Sequence, residues 1–216
     1  MKQIPEKAIE RLILYRRILM SLNPSDRPNI FSHELATLSG FSSAQIRRDL
    51  MAIGYSGSPV KGYSLNNLVE SLNEFIDSEE KQHVAIIGLG QLGRAILNYC
   101  KNRRKKIEIV ASFDKDPQKT DQVILGTHCY GIDKLEKIIK EKNIRVVILA
   151  IPAEEAQEMA ERIMKAGIRG ILNYAPTNLY LDNDVFVENR DMILAVEKVA
   201  YFSRKIDKEG FVESLS

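Results

Sequence analysis

At 216 residues the chain can build one medium domain or two small ones, and its charges nearly cancel, 31 Lys and Arg against 29 Asp and Glu. They are unevenly spread: residues 1–64 hold nine Lys/Arg against five Asp/Glu, a net of +4, and the remaining 22 against 24 give −2. The basic segment fits either a polyanion partner or a solvated helix surface, whereas Glu6 and Glu10 break the first apolar run and no stretch suits a bilayer, so the chain reads as cytoplasmic with no membrane partner.

The first predicted helix is Pro5 to Leu22, with Ala8, Ile9, Leu12, Tyr15, Leu19 and Leu22 on one face. Pro5 suits its first turn, Lys7, Arg11, Arg16 and Arg17 mostly fall elsewhere, and Asn23-Pro24 stops it. A short helix follows from Ser32 to Leu38, capped by the Ser32 hydroxyl and closed at Gly40. Ser42 or Ser43 caps a third helix to about Ile53. Tyr55 to Tyr63 mixes turn formers with aromatics and reads as a hairpin, and Leu65, Leu68, Val69, Leu72 and Ile76 mark a fourth amphipathic helix.

This run fits a helix-turn-helix: Ala36 is small where two helices cross, Gly40 makes the turn and Ile46 packs inward. Ser43, Gln45, Arg47 and Arg48 are then major-groove readers, Arg suited to guanine and Gln to adenine. The hairpin, with Lys61, serves as a wing against phosphate or the minor groove. A plain helical bundle with solvated arginines fits the same pattern.

The polar run Asp77 to Gln82 marks a linker, after which short β-branched segments (Val84–Ile87, Ile107–Phe113, Val146–Ile151, Gly170–Asn173) alternate with helical ones. That alternation predicts an α/β fold with a parallel sheet covered by helices. Between the first strand and a helix from Leu92 to Tyr99 stands G-x-G-x-x-G at Gly88, Gly90 and Gly93. Gly88 permits a tight turn, Gly90 lets a pyrophosphate approach the backbone, and Gly93 lets helix and strand pack closely. Asp114 ends the second strand twenty-one residues later, where an acid accepts the ribose hydroxyls and repels a 2′-phosphate, favouring NAD(H). A turn-capping Asp ahead of Pro117, or a related fold that binds coenzyme A, are the alternatives.

Chemistry on a bound nicotinamide needs a proton donor or acceptor beside it. The three histidines are poor candidates: His33 lies in the second helix, His83 precedes the first strand, and His128 falls in a loop. No Tyr-x-x-x-Lys, Ser-His-Asp or metal-ligand cluster appears in the sheet region, and about forty residues after Asn173 are too few for a substrate domain. No catalytic residue, catalytic substrate or metal is therefore expected. Cys100 reads as a buried free thiol in its helix.

Taken in order, Ser42-Ser-Ala-Gln-Ile-Arg-Arg-Asp-Leu, Gly88-Leu-Gly-Gln-Leu-Gly-Arg-Ala, Phe113-Asp-Lys-Asp-Pro, Ala150-Ile-Pro-Ala, Gly170-Ile-Leu-Asn-Tyr-Ala-Pro and Val187-Glu-Asn-Arg-Asp resemble the Rex redox-sensing repressors of bacteria over nearly the whole chain. The resemblance implies a winged-helix DNA-binding domain at 1–80, a Rossmann NAD(H)-binding domain at 81–190, and a domain-swapped helix and tail at 191–216. It implies a homodimer that binds double-stranded operator DNA when oxidised or empty; in that family NADH closes the dimer and releases DNA. It also implies roles by position. Gly88, Leu89, Gly90, Gln91, Leu92 and Gly93 would hold the pyrophosphate and Asp114 the adenosine ribose. Ile151, Pro152, Asn173, Tyr174, Ala175 and Pro176 would line the nicotinamide end. Tyr99 and Asp191 would form a cross-subunit hydrogen bond, and Arg11, Arg16, Arg48 and Lys61 would contact DNA. Three departures stand out: Met51-Ala-Ile-Gly54 lacks the usual aromatic pair, Gly57 to Gly62 lacks two adjacent basic residues, and Met192 replaces an aromatic near the partner's nicotinamide.

Overall fold

The computed structural model describes residues 4–100, 106–182 and 184–209, so part of the expected C-terminal tail lies outside the described residues. The chain divides into two compact units, Met1–Glu79 and Glu80–Ser216.

The first unit packs α1 (Glu6–Met20), α2 (Ser32–Ser39), α3 (Ser43–Ala52) and α4 (Leu65–Ile76) around one core. The three- and four-residue spacing buries Leu12, Tyr15 and Leu19 of α1 against Leu35, Ile46, Leu50, Leu68 and Leu72. Helix α1 begins one residue later than the pattern suggests, because Pro5 is extended (ψ 144°) and caps the helix from outside. Ser32 does not cap α2. Phe31 takes that position, and its backbone N–H donates to the Glu34 carboxylate at 2.8 Å. Gly40 closes α2 with φ +74°, a conformation that costs a residue with a Cβ about 1 kcal/mol or more. The Ser42 hydroxyl caps α3, accepting from the Gln45 N–H.

The predicted hairpin takes a different form. Ser58 and Gly62 form a single antiparallel bridge around an exposed tip, and β2 (Tyr63–Ser64) pairs with β1 (Asn29–Ile30) instead of with the segment before it. Gly62 is needed there, since a Cβ would sit 2.7 Å from the Ile30 carbonyl oxygen.

The second unit is a seven-stranded sheet of β3 (Gln82–Ile87), β4 (Ile107–Asp114), β5 (Gln122–Ile124), β6 (Thr127–Gly131), β7 (Ile144–Leu149), β8 (Gly170–Asn173) and β9 (Phe186–Asn189). The order is β5-β6-β4-β3-β7-β8-β9, parallel throughout except for the edge pair β5–β6. Alternate residues feed two cores. Val84, Ile86 and Ile148 pack with Leu97 of α5 (Gln91–Cys100). Ala85, Ile87, Val147 and Leu149 pack on the other face with α6 (Leu135–Glu141) and α7 (Ala153–Lys165).

Some sequence readings need correction. His83 lies within β3, its Nδ1 2.6 Å from the Lys142 carbonyl, and His128 lies in β6. Cys100 is only half-buried; the buried thiol is Cys129, whose pKa burial pushes up. The last helix, α8 (Met192–Glu209), leaves Met192, Ile193, Leu194, Val196, Val199 and Phe202 at least half exposed. Among the described residues, no helix is long and apolar enough to cross a membrane.

Candidate functional site

The chain passes from β3 to β4 on one side and later to β7 on the other, which opens a crevice at the carboxyl ends of these strands. A cleft of about 370 Å³ lies there, lined by Gly88, Gly90, Asp114, Ile151 and Pro152 of the expected residues. Two of the three motif glycines are required by the protein itself. A Cβ on Gly93 would lie 1.8 Å from the Gly88 carbonyl oxygen, and one on Gly88 would lie 2.3 Å from the Ala150 carbonyl oxygen, with Gly88 at φ +92°. Gly90 differs, since a Cβ there would meet nothing within 4 Å. Its lack of a side chain therefore matters only to something entering the cleft.

Leu89 is buried and offers its backbone N–H to Asp114 Oδ2 at 2.7 Å. Gln91 and Leu92 are exposed in the first turn of α5, which carries no acidic residue there. An anion is thus favoured at that helix start by the macrodipole and by open N–H groups. The first turn of α7, which also borders the cleft, carries Glu154 and Glu155 and disfavours one. The geometry fits a dinucleotide whose pyrophosphate sits over Gly90 at the start of α5.

Burial would raise the Asp114 carboxyl, but the N–H groups of Asp116 and Leu89 and the Lys119 ammonium together hold it below the usual carboxylate range. Asp114 is therefore an ionised acceptor at neutral pH, with about one lone-pair site, on Oδ1, left for a ribose hydroxyl. Lys115, Lys119, Glu155 and Met159 also line the cleft and were not anticipated. Lys115 reaches across to hydrogen-bond Glu155. In sequence, Lys-Asp-Pro-Gln-Lys after Asp114 looks like any polar turn, so only the fold shows these lysines facing the cleft.

The other expected cofactor residues are not among those lining this cleft. Asn173 is fully buried, and its amide bonds the Thr177 carbonyl, the Asn189 side chain and the Ala175 N–H. It shapes the Tyr174-Ala175-Pro176 turn beyond β8. Tyr99 is exposed on α5, and Asp191 caps α8 by accepting from the Ile193 and Leu194 N–H groups.

On α3, Arg47 and Arg48 are exposed and Ser43 is half-buried. Arg47 donates to the Ser32 hydroxyl at 2.9 Å. Lys61 stands exposed at the tip of the wing, where its N–H bonds the Ser58 hydroxyl. Burial corrects one assignment to DNA, and an ion pair engages a second. Arg16 is 4% exposed and donates to Asp77 at 2.6 Å, so its charge is held inside the unit. Arg11 makes a two-bond pair with Asp49, at 2.6 and 2.7 Å, and its guanidinium is likewise engaged. Gln45 is half-buried and also donates to Asp49, at 2.8 Å, so it is not the unencumbered adenine reader that its position on the helix suggests. Asp49 is the functional residue that the sequence does not single out; its place three residues after the inward Ile46, on the same helix face, is the signal for it.

Comparison with known proteins adds independent findings. The family described as "CoA binding domain" matches residues 79–177, and that described as "Putative DNA-binding protein N-terminus" matches residues 3–50. The redox-sensing transcriptional repressor Rex of Listeria welshimeri serovar 6b is 34% identical over 200 residues, 93% of either chain. The crystal structure of RSP with β-NAD+ and operator DNA matches with a TM-score of 0.86 at 30% identity, over 97% of this chain and 100% of that one. RSP with β-NADH matches at 0.83, also 30% identical, over 98% of each chain.

Two outcomes follow. Gly93→Ala should lower stability in urea by more than about 1 kcal/mol, whereas Gly90→Ala should unfold with the parent's midpoint; equal losses would contradict the packing described. Asp114, with a folded pKa below its unfolded value of about 4, adds stability that is complete above that pH and is lost as pH falls through the folded pKa. Thermal melts of ligand-free Asp114→Asn should therefore show a shallower decline than the parent from about pH 5 to about pH 2.

Proposed function

The chain belongs to the Rex family of redox-sensing transcriptional repressors, and from that premise we propose that it represses transcription by binding operator DNA when NAD+-bound or empty and leaving it when NADH is bound. It is a regulator and not an enzyme, like the relatives that are named as repressors. The observation that carries the nucleotide half is the cleft itself, with open space over Gly90, an acid-free helix start and an ionised Asp114. In this reading Gly88 to Gly93 hold the pyrophosphate and Asp114 the adenosine ribose. Ile151, Pro152 and the Asn173 to Pro176 turn border the nicotinamide. When bound, the cofactor supplies a ring whose charge differs between its two redox forms, and nothing in the reading calls for its chemical turnover.

The DNA half is supported by the exposed Arg47 and Arg48 on α3 and by Lys61 on the wing. We assign the arginines to the major groove and Lys61 to phosphate. Arg16 stays buried against Asp77, and the half-buried Arg11 stays paired with Asp49. The protein works in the cytoplasm, where operator and nicotinamide pool meet.

A homodimer completes the reading. A single chain leaves the apolar side chains of α8 in water, which supports a partner surface there. A second copy covers it, with the helices exchanged and Tyr99 facing the partner's Asp191. Cofactor state then acts by differential affinity for two dimer arrangements, since a ligand that binds both equally shifts neither.

Gel shifts with the full chain should show operator binding kept with NAD+ and lost with NADH, and Gly90→Ala should bind DNA but ignore NADH; equal binding with both cofactors would sink the reading. Sedimentation at micromolar concentration should give the mass of two chains, and Val196→Glu combined with Val199→Glu should move it towards one.

A further inference from the structure

The recognition helix contains a chain of hydrogen bonds that runs from the interior of its unit to the exposed surface. Both Asp49 oxygens accept from Arg11, and the Tyr15 hydroxyl donates to one of them at 3.0 Å. Only 4% of the Asp49 side chain is exposed. Gln45 Nε2 donates to Asp49 at 2.8 Å, and Gln45 Oε1 accepts from Arg48 Nη2 at 3.0 Å.

We infer that Asp49 is a positioning residue that acts through Gln45 to hold Arg48 in the orientation from which it reads guanine. This rests on the reading of α3 as a major-groove helix.

The amide of Gln45 has one permitted orientation. Reversed, it would set its oxygen against a carboxylate and its NH₂ against a guanidinium, two repulsive contacts in place of two attractive ones. The carboxylate cannot turn to follow it, because two elements fasten it: Arg11 and Tyr15 come from α1, Gln45 from α3. Desolvation would raise the Asp49 carboxyl, but bonds from Arg11, Gln45 and Tyr15 together hold it below the usual range, so it stays an acceptor at neutral pH.

The consequence for specificity follows from the donor count. Gln45 already uses its amide on Asp49 and Arg48, so it is poorly free to fork onto adenine. Arg48 uses one N–H on Gln45 and keeps four, enough for the two-bond contact to guanine O6 and N7. A guanidinium held in place before contact also gives up less freedom on binding.

The test uses the full chain and operator DNA that it selects from a random duplex library. Each guanine of the selected site is replaced in turn by 7-deazaguanine, which lacks the N7 acceptor. At the guanine read by Arg48 the parent should lose about tenfold in affinity, and Arg48→Ala should show no such loss. Asp49→Asn and Gln45→Ala should each reduce that loss to about twofold or less, while still binding unselected duplex with the parent's salt dependence. A merely structural role would weaken all sequences together and leave the 7-deazaguanine ratio intact. If Asp49→Asn fails to fold, Gln45→Ala decides, because it leaves the Arg11, Tyr15 and Asp49 bonds in place. Retention of the tenfold loss by either folded variant overturns the inference. Failure of the parent to select any sequence would instead overturn the DNA-binding reading itself.

Discussion

The carbonyl oxygen of Gly88 and the missing side chain of Gly93 set the geometry of the nucleotide-binding unit. Helix α5 rides so close to the loop after β3 that a methyl group at position 93 would overlap that oxygen. The closeness aligns the Leu89 N–H with Asp114 at the end of the neighbouring strand, so one loop ties β3, β4 and α5 together. Elsewhere in the sheet, packing tolerates exchange of one aliphatic side chain for another at modest cost. Here no residue but glycine fits, and Asp114 and the acid-free start of α5 both derive their positions from that fit.

The first unit solves a different problem, that of fastening a short helix with one exposed side. It does so with buried charge. Arg16 and Asp77 join α1 to the residue that follows α4, and Arg11 and Asp49 join α1 to α3. Removing Asp77 or Arg11 leaves the buried Arg16 or Asp49 charged and poorly solvated, at a cost below the roughly 3–5 kcal/mol of a fully buried pair because Asp77 and Arg11 are partly exposed. The pairing is not perfect, since Nε of Arg16 is buried without a hydrogen-bond partner among the described residues. Apolar packing holds the helices together, but the ion pairs fix how they are turned about their own axes.

Much of this was legible in the sequence because it depends on local periodicity and on glycine. The buried face of α1, the turn at Gly40, and the strand-loop-helix unit around Gly88 and Gly93 all follow from residue spacing. What sequence could not show was direction. Arg11 and Arg16 look like solvated basic residues in a helical pattern, and their partners, Asp49 and Asp77, lie 38 and 61 residues away. Lys119 likewise became a cleft residue only through the turn that folds it back on Asp114. The edge strand β5 was invisible because three residues with two exposed carry no usable alternation. Residue type alone favours Ser32 as a cap, whereas Phe31 holds the position through its backbone and the Glu34 carboxylate.

Helix α8 has an arithmetic consequence. An 18-residue helix with its large side chains in water lacks the packed amphipathic face from which most helical stability in proteins comes. With the cover proposed above, its ordering and the meeting of two chains become one event, so stability depends on how much protein is present. Well below the dissociation constant, the amount of assembled repressor varies with the square of chain abundance. Gene dosage then enters regulation twice, and a cell that halves expression of this protein keeps about a quarter of its dimer.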